Sequence, residues 1–273
     1  MTADVLTRPA PPSWGRIAWA RVGLELRLFV REPQQVVFSF AYPVLMMVIF
    51  GSVFGADEVS AGVPFSQYFL AGIAATGIML TSFQAVGTAI AEERDRGDLA
   101  RLQVLGTPPV AYVAGKTGQV LLSTAAQLAL LLAVASLAYD VPLPEGTARW
   151  LTFAWVALGG ALAGTVLGIA VSSFVGSARA AGAGIPGIAV VLQFFSGVFF
   201  VFTELPAWMQ QVAAVFPLKW MTQGMRSVFL PEQAAAAEVA GAWEHGRTAL
   251  VLAAWVVIGT VIAARTFRWR RGA

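Results

Sequence analysis

The sequence predicts an all-α membrane protein with six transmembrane helices. Of its 273 residues, 58% are hydrophobic and only 12% are charged. A soluble domain carries about 25% charged residues, so this chain lacks the polar side chains that keep a surface hydrated. Six long apolar stretches contain no Asp, Glu, Lys, Arg or His, and each is long enough to cross a hydrocarbon core of about 30 Å. The six stretches are 34–54, 65–91, 117–138, 150–175, 182–202 and 248–264.

The positively charged residues predict the orientation of these spans. Six spans place both termini on one side of the membrane, and fourteen of the 18 Lys and Arg residues fall on that side. Cytoplasmic segments carry the excess of Lys and Arg, so both termini are predicted to be cytoplasmic. The basic residues are dispersed over the chain ends and one loop, which argues against a nucleic-acid partner. With no Cys and a single His, disulfides and thiolate or His-rich metal sites are excluded.

The N-terminal region predicts an amphipathic helix ahead of the first span. Residues 1–13 are polar and rich in Pro, and are predicted to form a disordered cytoplasmic tail. Residues 14–33 have helical periodicity, with Trp19, Val22, Leu26 and Phe29 on one face. Such a helix lies at the membrane surface, held by apolar contacts and anionic lipid; contact with a partner protein is the alternative. Residues 34–267 then form the six-span domain, and 268–273 a basic cytoplasmic tail.

Two spans carry residues with a structural or transport meaning. Gly160, Gly164 and Gly168 follow a four-residue spacing, which predicts that two helix backbones approach closely. The fifth span contains Pro186 among glycines, which predicts a kink near its cytoplasmic end. Polar and aromatic side chains of the spans are candidates to line the path of an apolar solute, with core packing as the alternative for the aromatic ones. These candidates are Gln84, Gln127, Gln193, Phe194, Phe195 and Phe199.

The segment 203–231 is too apolar for a plain external loop. Residues 206–216 and 218–230 are each predicted to form a helix of about a dozen residues, too short to cross the bilayer. We therefore expect a helical hairpin that re-enters the outer leaflet, since only helical or protein-packed backbone is stable at that depth. Three prolines bound the two helices: Pro206, Pro217 and Pro231. Three charged residues are expected at the membrane–water interface: Glu204, Lys219 and Arg226.

The loop 92–109 contains seven charged residues on the two sides of Gly97. Asp98 is a good N-cap, and Gly106 stands where a helix ends, so a short helix is predicted between them. Two helical turns are not stable alone in water, so this helix must pack on a surface. That surface belongs either to the protein's own spans or to a second polypeptide. The alternative is that the charges only solvate a cytoplasmic loop.

This loop carries a recognisable motif. The run Glu92-Glu93-Arg94-Asp95-Arg96-Gly97-Asp98-Leu99, with Leu102 and Thr107-Pro108, resembles the acidic-Arg-Gly-x-Leu-x-x-Leu…Thr-Pro stretch of ABC-2 type transporter permeases. Leu205-Pro206 and Phe216-Pro217-Leu218, followed by Arg226, are similar to the C-terminal part of the same family. The resemblance covers nearly the whole chain. It is closest to drug-exporter permeases of actinobacteria such as the daunorubicin/doxorubicin resistance permease.

The resemblance implies the membrane half of an ABC exporter with the ABC-2, or type V exporter, fold. Two such subunits, either identical or paralogous, would assemble with two separate ATP-binding subunits, which would hold ATP and Mg²⁺. Residues 14–33 would be the elbow helix, the short helix within 92–109 the coupling helix, and the hairpin 203–231 the external gate. The substrate would be a hydrophobic or amphipathic drug, natural product or lipid-like molecule, moved across the bacterial cytoplasmic membrane by alternating access.

Specific residues follow from the resemblance. It implies no cofactor and no catalytic or metal-binding residue in this chain. The residues expected to couple the chain to the ATPase are Glu92, Glu93, Arg94, Gly97, Leu99 and Leu102. The residues expected at the external gate are Pro206, Pro217 and Arg226.

The residues fit three other functions less well: nucleotide binding, an enzyme acting on lipid and an ion-coupled carrier. Gly115-Lys116-Thr117 is similar to the end of a nucleotide-binding P-loop, but Val110 occupies the position of the required first Gly, so Lys116 is predicted to anchor the third span instead. A membrane enzyme acting on lipid needs clustered nucleophiles or acids, and the external side offers only dispersed residues such as Glu204 and His245. A proton- or sodium-coupled carrier needs ionisable residues inside the spans, and the six stretches contain none.

Overall fold

The computed structural model describes residues 14–55, 57–59 and 62–267, and these residues form a helical bundle. Six of its helical segments are long and apolar enough to span a membrane. The helices are α1 (Trp14–Arg31), α2 (Pro33–Phe54), α3 (Phe65–Met79), α4 (Ala85–Arg96), α5 (Asp98–Val104), α6 (Pro109–Tyr139), α7 (Gly146–Ser172), α8 (Ala178–Phe195), α9 (Ala207–Val215), α10 (Pro217–Phe229) and α11 (His245–Thr266).

Shorter elements connect these helices. An antiparallel pair of two-residue strands, β1 (Glu58–Val59) and β2 (Val63–Pro64), precedes α3. A π-helical turn, Leu80–Gln84, joins α3 to α4, so the second span runs through Phe65–Arg96. Two short 3₁₀ helices occupy Phe202–Glu204 and Glu232–Ala237. The tails predicted at 1–13 and 268–273 lie outside the described residues.

The number of spans predicted from hydropathy agrees with the six candidate spans, but the helix ends differ. The second span continues to Arg96, and α6 begins at Pro109 instead of residue 117. Polar residues at these ends pack against other helices, so the chain stays helical beyond the apolar stretch. The fifth span ends earlier than predicted, because Gly197 adopts φ +71° just after α8. Pro186 lies inside the continuous helix α8.

The second span is the centre of the bundle. Of its most apolar stretch, 89% is buried, against 50% or less for each of the other five spans. A helix that is apolar on all sides is expected to be enclosed by other helices. Phe69, Ile73 and Ile78 are fully buried side chains of α3. The spans α2, α6 and α7 and the external helix α10 all pack against α3.

The glycine spacing of α7 permits this central packing. A Cβ atom at Gly168 would lie 2.6 Å from the carbonyl oxygen of Phe83, and one at Gly164 would collide with Ser82 Oγ. The close approach predicted from the spacing is therefore present, and its partner is the π-helical turn. Within that turn, Thr81 Oγ1 bonds Thr124 Oγ1 of α6 at 2.8 Å. The hydroxyls thus satisfy one another and nearby carbonyls in an apolar surrounding.

The N-terminal helix α1 packs along α6 with part of its predicted apolar face. Its buried residues are Val22, Glu25 and Phe29, while Trp19 is exposed and Leu26 is half-buried. Contact of this face with lipid stays a prediction. The sequence did not indicate that the acidic Glu25 is buried beside Val22 and Phe29, where it has partners inside the protein.

The hairpin that is predicted on the external side has the two predicted helices, α9 and α10, with ends within two residues of the predicted ones. Helix α10 is buried along its length, because α3, α7 and α11 all pack against it. Lys219 and Arg226 are therefore buried, and their predicted position at a wet interface is wrong. Re-entry of the hairpin into the outer leaflet stays a prediction.

We predict that Gly168→Ala destabilises the protein by about 1–3 kcal/mol, because the new methyl group would collide with backbone atoms, which cannot move aside as a flexible side chain could. A matched change, Gly23→Ala, introduces a methyl group with no atom within 4 Å, and should be neutral or slightly stabilising. The apparent Tm of both variants in detergent measures the difference. Equal Tm values would contradict the close contact between α7 and the π-helical turn.

Candidate functional site

The candidate site is the segment that connects α4 to α6. We call it the cytoplasmic segment, because the charge bias predicts that it lies on that side. Gly97 adopts φ +79° after α4, and its N–H donates to the carbonyl of Arg94 at 3.2 Å. Helix α5 follows, and Gly106 adopts φ +71° after it. Both conformations are left-handed, which glycine adopts without the cost that a Cβ atom imposes. The chain therefore reverses direction sharply on either side of a seven-residue helix.

The leucines of α5 differ in their exposure. Leu99 is fully buried, and Leu102 is half-buried against the core. In contrast, Val104 is 76% and Leu105 is 73% exposed, with Val110 of α6 equally open. We call Val104, Leu105 and Val110 the tip patch. Leu99 is not available to another protein, and the expectation that it makes the docking contact is corrected: it anchors α5 to the bundle.

The charged residues of the segment mostly bind within the chain. Arg94 Nη1 donates to the carbonyl of Ser172 at 2.6 Å, and Asp95 Oδ2 accepts the N–H of Ala178 at 2.7 Å. These bonds join the end of α4 to the end of α7 and the start of α8. Arg96 pairs with Asp98 at 3.2 Å and with Glu92 at 3.6 Å, both on the surface. Of the predicted coupling charges, Glu92 alone combines partial exposure with a surface pair, while Arg94 is used internally.

A buried cluster of charges lies beside this segment. We call Arg21, Glu25, Glu93 and Lys116 the ion-pair cluster. Lys116 Nζ lies 2.7 Å from Glu25 Oε2 and also bonds Glu93 Oε1, while Arg21 Nη2 lies 2.5 Å from Glu25 Oε1. Tyr112 donates its hydroxyl to Glu93 Oε2 at 2.6 Å. The cluster joins α1, α4 and α6, so Glu93 is not available to a partner protein.

The ion-pair cluster places charged groups inside the bundle. Lys116, which is predicted to anchor the third span, is buried, and its ammonium bonds Glu25 and Glu93. Glu93 and Lys116 lie just outside the predicted apolar stretches but within helices that are long enough to span a membrane. Glu25 was not singled out from the sequence. The available signal was its spacing of four residues from Arg21 on the face that carries Val22 and Phe29.

A cavity of about 550 Å³ opens beside the cluster, between α1, α2, α4 and α5. Its walls combine apolar side chains such as Leu28 and Phe38 with polar ones such as Glu32 and Arg101. Gln84, at the end of the π-helical turn, lines this cavity. It is the single residue among the six predicted path residues that does so.

The other predicted path residues lie apart from it. Gln127 of α6 is buried beside Gly77, and its amide has no hydrogen-bond partner among the described residues. Gln193 accepts a hydrogen bond from Tyr42 at 2.9 Å, which joins α8 to α2. Phe194 and Phe199 contact each other, with ring centroids 5.1 Å apart. Phe195 packs on Trp208 of the hairpin, with ring centroids 5.7 Å apart.

The predicted gate residues surround a second buried ion pair. Arg226 of α10 donates from Nε and Nη2 to the two carboxylate oxygens of Glu238, at 2.6 and 3.0 Å. Burial disfavours its charge, but Glu238 outweighs this and raises the pKa of Arg226. Pro206 precedes α9, and Pro217 is the first residue of α10, where a missing N–H costs nothing. Glu238 was not identified from the sequence, because it stands in an irregular segment.

Lys219 lies nearby on the same helix. Its Nζ is 3.6 Å from the ring centroid of Trp220 and donates to Gln223 Oε1 at 2.5 Å. Burial lowers the pKa of Lys219 to about 8, against the opposing fields of Glu238 and Glu244. The charged ammonium is therefore held by an aromatic face and an amide rather than by a carboxylate.

The geometry around His245 gives little support to the alternative of a membrane enzyme that acts on lipid. His245 Nε2 lies 2.8 Å from Ser227 Oγ, the pairing of a nucleophile with a base. However, Ser227 is buried and donates its proton to the carbonyl of Gly224, so its oxygen is not directed at a substrate. No cluster of three or more potential metal ligands occurs within the described part of the chain.

We predict that Leu99→Ala and Leu105→Ala have different effects on stability. Leu99→Ala should lower the free energy of unfolding by about 2–5 kcal/mol, because it leaves a cavity in the core. Leu105→Ala, at an exposed position, should change it by less than about 0.5 kcal/mol. Thermal unfolding of the two purified variants measures this, and the opposite ranking would contradict the burial pattern of α5.

We predict that stability increases as the pH rises from about 8 towards 10. The unfolded chain keeps Lys219 protonated up to its ordinary pKa near 10.5, whereas the folded protein releases this proton near pH 8. Between those values the unfolded state binds more protons, so raising the pH favours the folded state. Lys219→Met should remove this gain. The apparent Tm of both proteins from pH 7.5 to 10 measures it, and parallel pH curves would contradict the prediction.

Comparison with known proteins agrees with the motif in the cytoplasmic segment. The family model described as ABC-2 type transporter matches residues 19–230, more than three quarters of the chain. The matched region runs from α1 to the end of α10 and so includes the cytoplasmic segment and the external hairpin. No curated protein matches the chain. The chain belongs to the ABC-2 type transporter family, as a membrane permease component of an ABC transporter.

Proposed function

We propose that this chain forms the transmembrane half of an exporter that carries a hydrophobic or amphipathic molecule out of the cytoplasmic membrane. The family makes an ABC ATPase subunit its partner. Beyond the family, we assign the direction of transport, the class of cargo and the residues that bind the ATPase.

The tip patch is the observation that carries the proposal. Val104 and Leu105 expose large apolar side chains at the end of a helix that is anchored through Leu99. Exposed apolar residues flanked by polar ones, here Arg101 and Gln103, are typical of a protein interaction site. We therefore assign docking of the ATPase to the tip patch, with Leu102 at its edge, in place of the Leu99 contact.

A movement of α5 has a direct route to the centre of the bundle. Helix α5 follows α4 after the single residue Gly97, and α4 continues the central span. When ATP draws two ATPase subunits together, each would displace the α5 that it holds. Because packed helices shift as units, the displacement would rotate one set of spans against another and open the external side. The ATPase achieves this only if it binds the two conformations with different affinity.

The remaining parts of the proposal concern assembly. The chain would pair with a second copy or a paralogue and lie in a bacterial cytoplasmic membrane, with both termini inside, as the charge bias indicates. ATP and Mg²⁺ would bind in the ATPase subunits. The hairpin of α9 and α10 would close the external side, with Pro206 and Pro217 at the starts of its helices and Arg226 within α10.

The character of the cytoplasmic cavity supports an amphipathic cargo. Its apolar walls suit a hydrocarbon portion, whereas Gln84, Glu32 and Arg101 can bind polar groups. A drug and a lipid-like molecule share this chemistry. Both are therefore used as probes in the test.

We predict that the double variant Val104→Asp, Leu105→Asp loses its ATPase partner, because two carboxylates would have to be buried in an apolar contact. The permease is co-expressed with an ABC ATPase subunit from the same source, and the complex is isolated through a tag on the permease. Inverted vesicles then report ATP-dependent uptake of doxorubicin and of a fluorescent phosphatidylethanolamine. Wild type should retain the ATPase and move one of these probes, and the double variant should do neither.

Val239→Asp is the matched control, because Val239 is also an exposed apolar residue but lies on the external side. It should behave as wild type. An ATPase that stays bound to the double variant would refute the docking assignment. Uptake that stops with a protonophore at constant ATP would refute the ATP-driven mechanism in favour of a proton-coupled carrier.

A further inference from the structure

Helix α1 is in unusually close contact with α6. A Cβ atom at Gly115 would collide with Cγ of Arg21, and one at Gly118 would lie 2.5 Å from Cγ2 of Val22. The glycines therefore let the side chains of Arg21 and Val22 pack directly against the backbone of α6. At this separation the carboxylate of Glu25 reaches the ammonium of Lys116.

The ion-pair cluster at this contact is balanced and enclosed. It contains two acids and two bases, and Glu25, Lys116 and Glu93 are 3%, 5% and 7% exposed. Lys116 is its central member, because one ammonium bonds a carboxylate of α1 and a carboxylate of α4. Tyr112 satisfies the second oxygen of Glu93. Buried charges are stable only when paired and hydrogen-bonded in this way.

We propose that Glu25, Lys116 and Glu93 are positioning residues that make α1 move together with the cytoplasmic end of the central span. The proposal rests on the proposed function, since it concerns how a displacement of α5 is distributed. Glu93 lies one helical turn before Gly97, where α5 begins. A displacement received by α5 therefore reaches Glu93 first, and Lys116 and Glu25 transmit it to α1.

Ionic contacts suit this task better than apolar ones. An apolar interface tolerates sliding, because the hydrophobic effect has no directional preference. A buried carboxylate that loses its ammonium is left uncompensated, so the cluster resists any shift of α1 relative to α4. The three helices are therefore held in one relative position, while other residues of α1, such as Trp19 and Leu28, are exposed.

Hydrogen bonds of the two residues after Glu93 attach the end of α4 to α7 and α8. Arg94 bonds the last residue of α7, Ser172, and Asp95 bonds the first residue of α8, Ala178. Three consecutive residues of α4 thus bond three other helices, and Lys116 extends this connection to α1. The end of α4 is consequently the place where movement of one short segment can be divided among several spans.

The test uses Glu25→Gln in the complex of permease and ATPase. This change leaves the Lys116–Glu93 pair and the tip patch intact, so the ATPase should stay bound and hydrolyse ATP. Uptake of the probe that wild type moves, doxorubicin or fluorescent phosphatidylethanolamine, should fall at least about fivefold per ATP hydrolysed. Glu145→Gln is the matched control, because Glu145 is an exposed acid that lies outside the cluster and the cavity, and it should couple normally.

An introduced disulfide between α1 and α6 distinguishes a positioning role of the cluster from a purely structural one. The chain contains no Cys, so Val22→Cys and Gly118→Cys introduce a defined pair. A Cβ at position 118 would lie 3.4 Å from Cβ of Val22, close to the separation of about 3.5–4.5 Å found in disulfides. Oxidation of the folded triple variant, which also carries Glu25→Gln, should restore coupling by fixing α1 to α6. Reduction should abolish it again.

A second variant tests the contact of α1 with Lys116 separately from the stability of α1 itself. Exchanging the charges, Arg21→Glu with Glu25→Arg, keeps the pair within α1 but places a cation against Lys116. It should uncouple transport as Glu25→Gln does. Normal coupling in this exchange variant, or in Glu25→Gln, would overturn the proposal, as would an oxidised triple variant that stays uncoupled. Absence of ATP-driven uptake by wild type would instead refute the proposed function.

Discussion

The arrangement of the molecule depends on the contact between the second span and α7. Two helices cannot bring their backbones together unless one of them lacks side chains at the crossing, and α7 supplies Gly164 and Gly168 there. Because this contact places the second span in the middle, the remaining spans and α10 can surround it. The end of the span that is predicted to be cytoplasmic then lies within reach of α1, α6, α7 and α8, and the opposite end lies against α10. The glycine contact thus determines which groups can meet at both ends.

Polar groups concentrate at three levels of this central helix. At the external end, Tyr68 lies against the Arg226 guanidinium, whose partner is Glu238. In the middle, Thr81 meets Thr124. At the cytoplasmic end, Glu93 joins the ion-pair cluster. In hydrocarbon each of these groups would be costly unless it were paired within the protein, so each level specifies the alignment of the central helix with its neighbours.

The spans, the glycine contact and the short helix α5 could be predicted from the sequence, because each depends on a local pattern. Hydropathy over about 20 residues marks a span, and a four-residue glycine spacing marks one face. The buried charges could not be predicted in the same way. Glu25 and Lys116 are 91 positions apart, and hydropathy assigns every charge to water, so Lys116 and Arg226 were expected at the surface. Only the fold reveals their partners.

The leucines of α5 show a different limit. Seven residues contain too few turns for a periodic pattern to distinguish a packed face from an exposed one. The orientation that buries Leu99 and exposes Leu105 depends on the angle at Gly97, which comes from a backbone conformation and not from a side chain. Similarly, Gln84, Gln127 and Gln193 are alike as polar residues in apolar spans, yet they lie in three separate surroundings.

The π-helical turn Leu80–Gln84 also determines how the two halves of the second span are oriented. A turn of this type holds one more residue than an α-helical turn, so the residues after it are rotated by about 100° relative to an uninterrupted α-helix. Because Ser82 and Phe83 lie against Gly164 and Gly168 of α7, the surplus residue is held where the two helices cross. The side chains of α4 therefore face different neighbours from those that a regular helix would give them.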